Sequence, residues 1–461
     1  MVIPPPTLDV AALPLAPKNP LPYLLRMKAA RMYHTGSEAL RDAGGPVTRH
    51  ALAPNWLTPP FVVTTSPRAA HDVLSLSYPF VDRDLPLFRD QQRLSGGALF
   101  NFNHAEWLPR RRLLQPVFTK KHVTRFGGHM AEAANNLASA WPDGADIDLD
   151  AQARKLTLRA LGRSVLAVDL DSQADDLGNA LRVVQDYVSD RGWRPVRAPS
   201  WFPTPARRRA RSAIAVFDRL AMDIIGACRR DPDVEAPLVR ALIAATDPAT
   251  GRPLTDNDIA HELVVFMAAG HDTTATTLTY ALWALGHHPD IQNRVLAEVA
   301  ELGDRQLTPD DVSSLGFTVQ VLNEALRLCP PAPITVRLAM KDIAVDGYRV
   351  PAGTLVVVGI YAMHRDPKLW TDPLTFDPDR FAPEQSKSRD RWQYIPFGAG
   401  PRSCIGDHFA MLEATLGLAT IIRSVEICSD DDDFAVAVPF TLVAGGPIRA
   451  HVRRRSTLVP A

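Results

Sequence analysis

The sequence carries no surplus of either charge: 51 Lys+Arg balance 51 Asp+Glu across 461 residues. It therefore lacks the positive field with which nucleic-acid binders collect phosphate, and neither DNA nor RNA is an expected partner. Cysteine is scarce. Cys228, Cys329, Cys404 and Cys428 lie far apart and form no CxxC pair, which excludes a zinc knuckle, a dithiol redox motif and a disulfide framework. No apolar run approaches the ~20 residues that span a bilayer, and residues 1–25 are proline-rich without a charged stretch leading into an apolar one. A cytoplasmic protein with reduced thiols and no transmembrane segment is the expectation. Internal repeats and long flexible linkers are missing too, which argues against a solenoid and against separate domains.

What is present is hydrophobic and rich in helix breakers. The 46% apolar residues allow an interior deep enough to enclose a cofactor. The 40 prolines cluster at Pro4–Pro22, Pro195–Pro205 and Pro330–Pro401, where helices should stop. Helical periodicity runs through 30–42, 69–75, 105–118, 123–140, 151–166, 173–189, 206–229 and 258–288, and a further helix follows at 407–423. Strand signals gather at 47–51, 60–65, 343–350, 354–360 and 436–455. The pattern predicts a mainly α fold with a small β-region (α+β): a proline-rich segment, 1–25, and one large domain, 26–461.

The helix over 258–288 is opened by Thr255 with Asp258 three residues on and closed by Pro289. About 30 residues reach about 45 Å, enough to cross a domain, and its body is apolar on nearly every side. In its centre stands Ala269-Gly270-His271-Asp272-Thr273-Thr274. Glycine costs about 1 kcal/mol in a helix and a buried acid must find a partner. Either the hydroxyls bond locally to the backbone, or the break forms a groove where a small ligand such as O2 receives protons from Thr273 and Asp272.

Near the C-terminus Cys404 is flanked by glycines, follows Arg402 by two residues and precedes a helix N-terminus. Those features favour a thiolate and let backbone approach a flat ligand closely. The string Phe397-x-x-Gly400-x-Arg402-x-Cys404-x-Gly406 resembles the heme-thiolate signature of the cytochrome P-450 superfamily. Glu324-Ala325-Leu326-Arg327 is similar to the family's Glu-x-x-Arg, Asp377 to Phe381 to the segment that supplies that pair's arginine partner, and Ala269 to Thr274 to its oxygen-activating groove. These motifs occur in family order from about Pro20 to the C-terminus.

The resemblance implies a single large heme-thiolate monooxygenase fold with the long helix over heme b and Cys404 as iron ligand. Phe397, Gly400, Arg402 and Gly406 would shape the thiolate loop, while Trp107, Arg111, Arg337, Arg402 and His104 would meet the heme propionates. Asp272 and Thr273 match the acid–alcohol pair that relays protons. Glu324, Arg327 and Arg380 would form a buried structural network. His271 is expected on the helix surface, facing away from heme. Arg110 and Arg112 read as solvated helix surface, or together with Lys120 and Lys121 as a docking site for an acidic electron carrier.

By position Leu99, Phe100, Ala268, Ala269, Ala332, Ile334, Thr335 and Thr441 would line an apolar distal pocket, which implies a lipophilic substrate such as a fatty acid or steroid. Two electrons must come from an external ferredoxin or flavodoxin with its reductase, because the chain holds no flavin or iron–sulfur motif. Seven arginines between Arg191 and Arg211, interleaved with Trp193, Trp201 and Phe202, form either a solvated basic loop or a peripheral contact with an anionic lipid or membrane surface. The protein is expected to be a monomer. Two alternatives stand beside monooxygenation: a non-enzymatic heme protein that binds or senses a gas, and an O2-independent rearrangement.

Overall fold

The computed structural model describes residues 9–32, 34–52, 59–193, 198–199, 202–247 and 251–455. The helices are α1 (Tyr23–Arg31), α2 (Thr35–Gly44), α3 (Pro67–Leu74), α4 (Pro86–Ser95), α5 (His104–Leu114), α6 (Lys120–Val123), α7 (Gly127–Ala140), α8 (Leu149–Leu161) and α9 (Ala174–Trp193). They continue as α10 (Pro205–Arg230), α11 (Pro237–Ile243), α12 (Asp256–His287), α13 (Pro289–Ala300), α14 (Gly316–Leu328), α15 (Ile360–His364), α16 (Pro383–Lys387) and α17 (Asp407–Ser424). The expected helix-dominated plan with a small β-region is what the chain adopts.

Three sequence readings change in detail. The pattern over 30–42 is two helices, α1 and α2. Helix α4 was not expected, because its polar stretch Arg89 to Arg93 has little apolar periodicity. Pro289 closes α12 and also opens α13 at its first position, where the missing N–H costs nothing.

The central helix α12 owes its length to consistent signals. Thr255 accepts from the Asp258 N–H at 3.2 Å while Asp258 accepts from the Thr255 N–H at 3.1 Å, a reciprocal cap. Nearly every residue from Ala275 to Leu285 is buried, packed between α8, α10, α14 and α17. Burial on all sides outweighs the weak propensity of its threonines.

Among the described residues four sheets flank the helices. The largest runs β1 (Val47–His50), β2 (Phe61–Thr64), β8 (Leu355–Gly359), β5 (Ile334–Ala339), β3 (Val81–Asp82) in spatial order, with β2 and β8 parallel and the other pairs antiparallel. A second contains β4 (Asp146–Asp148), β12 (Arg449–Arg454) and β9 (Val425–Ser429). Two hairpins complete the set, β6 (Ile343–Val345) with β7 (Tyr348–Val350), and β10 (Val436–Ala437) with β11 (Val443–Ala444). Among the described residues no helix is long and apolar enough to cross a membrane.

Candidate functional site

Cys404 is the exposed member of the four free cysteines. It sits in a tight loop: its own N–H donates to the Phe397 carbonyl at 2.9 Å and the Gly406 N–H donates to its sulfur at 3.4 Å. Gly400 is needed there for two reasons. Its φ is +71°, and a Cβ would lie 1.8 Å from the Leu74 carbonyl oxygen, so the loop can close onto α3 only with glycine. Burial pushes the Cys404 thiol up, against the Gly406 N–H and the Arg111 guanidinium that pull it down. The sequence suggested a thiol held low by its loop; desolvation outweighs those contacts, and the sulfur is accessible yet recessed.

The loop is anchored from behind. Arg327 forms a two-pronged ion pair with Glu324, both contacts 2.7 Å, and both residues are fully buried. Arg327 also donates to the carbonyls of His364, Pro373 and Thr375 at 2.9, 2.7 and 3.2 Å. Arg380 Nε lies 3.4 Å from Glu324, whose Oε1 also accepts the Asp377 N–H at 2.9 Å. From this network His364 Nε2 accepts the Ile395 N–H at 3.0 Å, at the root of the Cys404 loop.

Beside the loop lies a concentration of cations. Arg337 on β5 is buried and its hydrogen bonds go to Thr335 and Val336 of its own strand. Arg402 donates to Asp82 at 3.0 Å and to the Phe102 carbonyl at 2.9 Å, and lies 4.5 Å over the Trp107 ring. Arg83, which sequence reasoning missed, is pushed well down by burial and by the charges of Arg337 and Arg402. Burial likewise pushes Arg337 and Arg402 down to about 10. Three guanidinium groups face one carboxylate, Asp82, which leaves an excess of about two positive charges in a desolvated place. A ligand with two carboxylates would neutralise it.

The other sequence candidates near this face are distributed differently. The His104 ring stacks on Tyr78 at 5.5 Å, and the His104 backbone N–H donates to Asp82 at 3.0 Å. Arg111 donates to the Ser403 carbonyl at 3.0 Å, against the Cys404 loop. Arg110 is no surface residue: its side chain is 10% exposed and pairs with buried Glu262 at 3.1 Å. The reading of Arg110 as solvated surface or as a docking residue is thereby corrected, because adjacent helix residues point about 100° apart and this one points inward.

On α12, Asp272 is buried and accepts from Arg154 of α8, from Gln185 of α9 at 3.1 Å and from Thr441 at 2.7 Å. Burial alone would raise its carboxyl; the Arg154 charge and the hydrogen bonds from Arg154 and Thr441 overcome this and hold it below the usual carboxylate range. A cavity of about 590 Å³ opens behind it, lined by Arg154, Gln185, Asp186, Pro439 and Val443. Thr273 donates to the Ala269 carbonyl at 2.8 Å, the local bond its position four residues on permits. Ala269, in the middle of a buried helix, is exposed, so an interior cleft opens here.

His271 is not on the surface. It is 3% exposed, its Nδ1 is 3.1 Å from Thr157 of α8, and burial lowers it to about 4, so it is a neutral packing residue between two helices. Of the expected pocket residues, Leu99 is buried, and Phe100 makes edge-on contacts with Phe88 and Phe440 at 5.6 and 5.8 Å. Ala268, Ile334 and Thr335 are half-buried and Ala332 is exposed. Within the basic segment Arg191 pairs with Asp90 at 2.9 Å and Arg207 is buried, which removes two cations from any surface patch; residues 194–197 and 200–201 lie outside the described residues. Arg154, Arg83 and Glu262 carry no local motif. The signal available in sequence was an acid or arginine standing in an apolar helical stripe, which needs an unnamed partner.

These residues fit heme: an accessible sulfur with an N–H donor, and a cation excess matching two propionates. Gly406 adds open space, since a Cβ there would meet no protein atom within 4 Å. A family model described as cytochrome P450 matches residues 15–436. The chain is similar to cyclooctat-9-en-7-ol 5-monooxygenase of Streptomyces melanosporofaciens, 32% identical, with 73% of each chain covered. It is also similar to pentalenene oxygenase of Streptomyces avermitilis, 32% identical over 75% of this chain and 77% of that one. Among solved structures the heme domain of cytochrome P450DA superposes with a TM-score of 0.82 at 26% identity, covering 96% of this chain and 98% of that one.

Proposed function

The chain belongs to the cytochrome P450 family of oxidoreductases, and from that premise we propose that it is a cytoplasmic heme b monooxygenase that places one oxygen atom of O2 on a lipophilic small molecule. The observation that carries this reading is Cys404, accessible in a glycine-bent loop with the Gly406 N–H on its sulfur. Bound heme iron would supply the activation of O2 with two external electrons. Cys404 would ligate it, and Arg337, Arg402 and Arg83 would hold the propionates.

The chain's own task is to admit protons and exclude water. Asp272 Oδ2 bridges Thr441 and Gln185 at the floor of the cavity behind α12, which gives a polar route from solvent to the helix. A proton passed to the cleft must leave Asp272 and reach Thr273 Oγ1, so the Asp272–Arg154 contact must loosen and Thr273 must release the Ala269 carbonyl. The apolar wall of Leu99, Phe100 and Phe440 supports a hydrocarbon-rich substrate. The two Streptomyces relatives, named for terpenoid oxygenation, make cyclic terpenoids the first class to screen, beside fatty acids and steroids. Arg112, Lys120 and Lys121 are exposed and support docking of an acidic ferredoxin or flavodoxin; a reduction rate unmoved by salt would remove that role.

The test is the carbon monoxide difference spectrum of the reduced protein. The wild type should show the strongly red-shifted Soret band of thiolate-ligated heme, and Cys404→Ser should lose it. A wild-type band at the position of histidine-ligated heme would overturn the reading.

A further inference from the structure

The central helix carries a second acid, which proton delivery at Asp272 does not use. Glu262 stands ten residues before Asp272 and is fully buried. The Leu99 N–H donates to both of its carboxylate oxygens, at 3.1 and 3.0 Å, and Arg110 Nη1 of α5 lies 3.1 Å from Oε1. The loop 96–103 is thus tied to α12 through backbone. A Cβ at Gly96 would lie 2.1 Å from the His261 ring, so the loop rests directly on the helix one residue before Glu262.

The loop is also braced within itself. The Ala98 N–H donates to Asn101 Oδ1 at 2.9 Å, Asn101 Nδ2 donates to the Gly96 carbonyl at 3.1 Å, and Gln92 Nε2 donates to the Asn101 carbonyl at 2.7 Å. It can therefore be held or released as a unit. One side of it presents Leu99 and Phe100, and the Phe102 carbonyl accepts from Arg402.

We propose that Glu262 is a positioning residue whose carboxylate latches loop 96–103 onto α12 and so places the pocket wall formed by Leu99 and Phe100. The placement of that wall rests on the monooxygenase reading; the latch does not. The charged groups facing Glu262 are Arg110 from α5 and Asp258 from its own helix, and the loop contributes the Leu99 N–H; on the adjacent side His261 faces Asp218 of α10. Burial raises the Glu262 carboxyl to about 7, while Arg110 and the Leu99 N–H pull it down. Since the latch contacts lower the pKa, their release raises it, and proton and loop compete for one carboxylate.

Ionisation therefore favours the closed latch and acid favours release. Global stability responds in the opposite direction. With its folded pKa above the usual 4.5, this carboxyl contributes stability that is full below about 4.5 and lost as pH rises through about 7.

The experiment is hydrogen exchange of the heme-loaded protein at about pH 6 and about pH 8.5, corrected for intrinsic rates, with peptides covering 96–103. The wild type should exchange about tenfold faster at the lower pH, the loss of one charge-assisted hydrogen bond, and Glu262→Gln should remove the difference. Flat wild-type exchange, or a wild-type transition in Glu262→Gln, overturns the latch. If Glu262→Gln does not fold, Arg110→Gln decides: it keeps the Leu99 bond but removes the cation, so the transition midpoint should rise by about a unit, and an unmoved midpoint overturns the latch. Binding of tebuconazole, a lipophilic triazole neutral over this range, followed by its Soret shift, should weaken severalfold at the lower pH in the wild type alone. Loop release without that weakening overturns the placement of the pocket wall while the latch stands.

Discussion

Two buried carboxylates, each facing an arginine, divide this molecule. Glu324 sits in a closed arrangement: Arg327 grips it with two nitrogens and spends its remaining donors on three backbone carbonyls of the neighbouring 364–375 segment. Asp272 sits in an open one, with partners from α8, α9 and the β10–β11 hairpin and a cavity at its back. The first arrangement uses every donor of Arg327 and is built to hold. The second is assembled from three separate elements beside a cavity, so its partners are not fixed by a single rigid grip. Geometry of the partners, more than burial, is what distinguishes the two acids, since both are buried beside an arginine.

The sharpest way to break this comparison is Glu324→Gln. It leaves Arg327 charged and fully buried without its counter-ion, and a cost of about 3–5 kcal/mol is expected, read as a drop in unfolding midpoint together with loss of bound heme. If that variant folds as well as the wild type, the network is not the anchor of the Cys404 loop.

Asp272→Asn should do the reverse, keeping fold and heme but lowering the rate of product formation by about 10²-fold. Heme content and unfolding midpoint measured beside turnover distinguish this from loss of structure. A loss of heme and stability like that of Glu324→Gln would place Asp272 with the structural acids.

The smallest effect sharpens the comparison from outside. Arg294 and Asp379 form a two-pronged pair of similar geometry to that of Arg327, at 2.9 and 2.7 Å, but both are about half exposed. Asp379→Asn should cost under about 1 kcal/mol by denaturant titration. A cost as large as that of Glu324→Gln would mean that contact geometry alone, without burial, sets the strength of these pairs.

Much of the architecture was readable locally. The Thr255–Asp258 cap, the prolines that end helices and the glycines around Cys404 act within a few residues of themselves, where backbone sterics and short hydrogen bonds decide the outcome. Helix α4 was invisible because its stripe is polar and its burial depends on what packs over it. On sequence alone Arg110 reads as surface and Arg111 as a heme contact, and the phase of α5 against its neighbours sends Arg110 to buried Glu262 and Arg111 to Ser403.

By itself, then, the sequence determined where chemistry could be carried: a thiol in a bent loop, an acid and an alcohol in the middle of a buried helix, and an acid–arginine pair one turn apart. Tertiary structure alone decided which cations meet which acids. Arg154 reaches Asp272 across 118 residues, and Arg110 reaches Glu262 from another helix. Such pairings depend on helix phase and on the angle at which helices cross, and neither is encoded in any local stretch of chain.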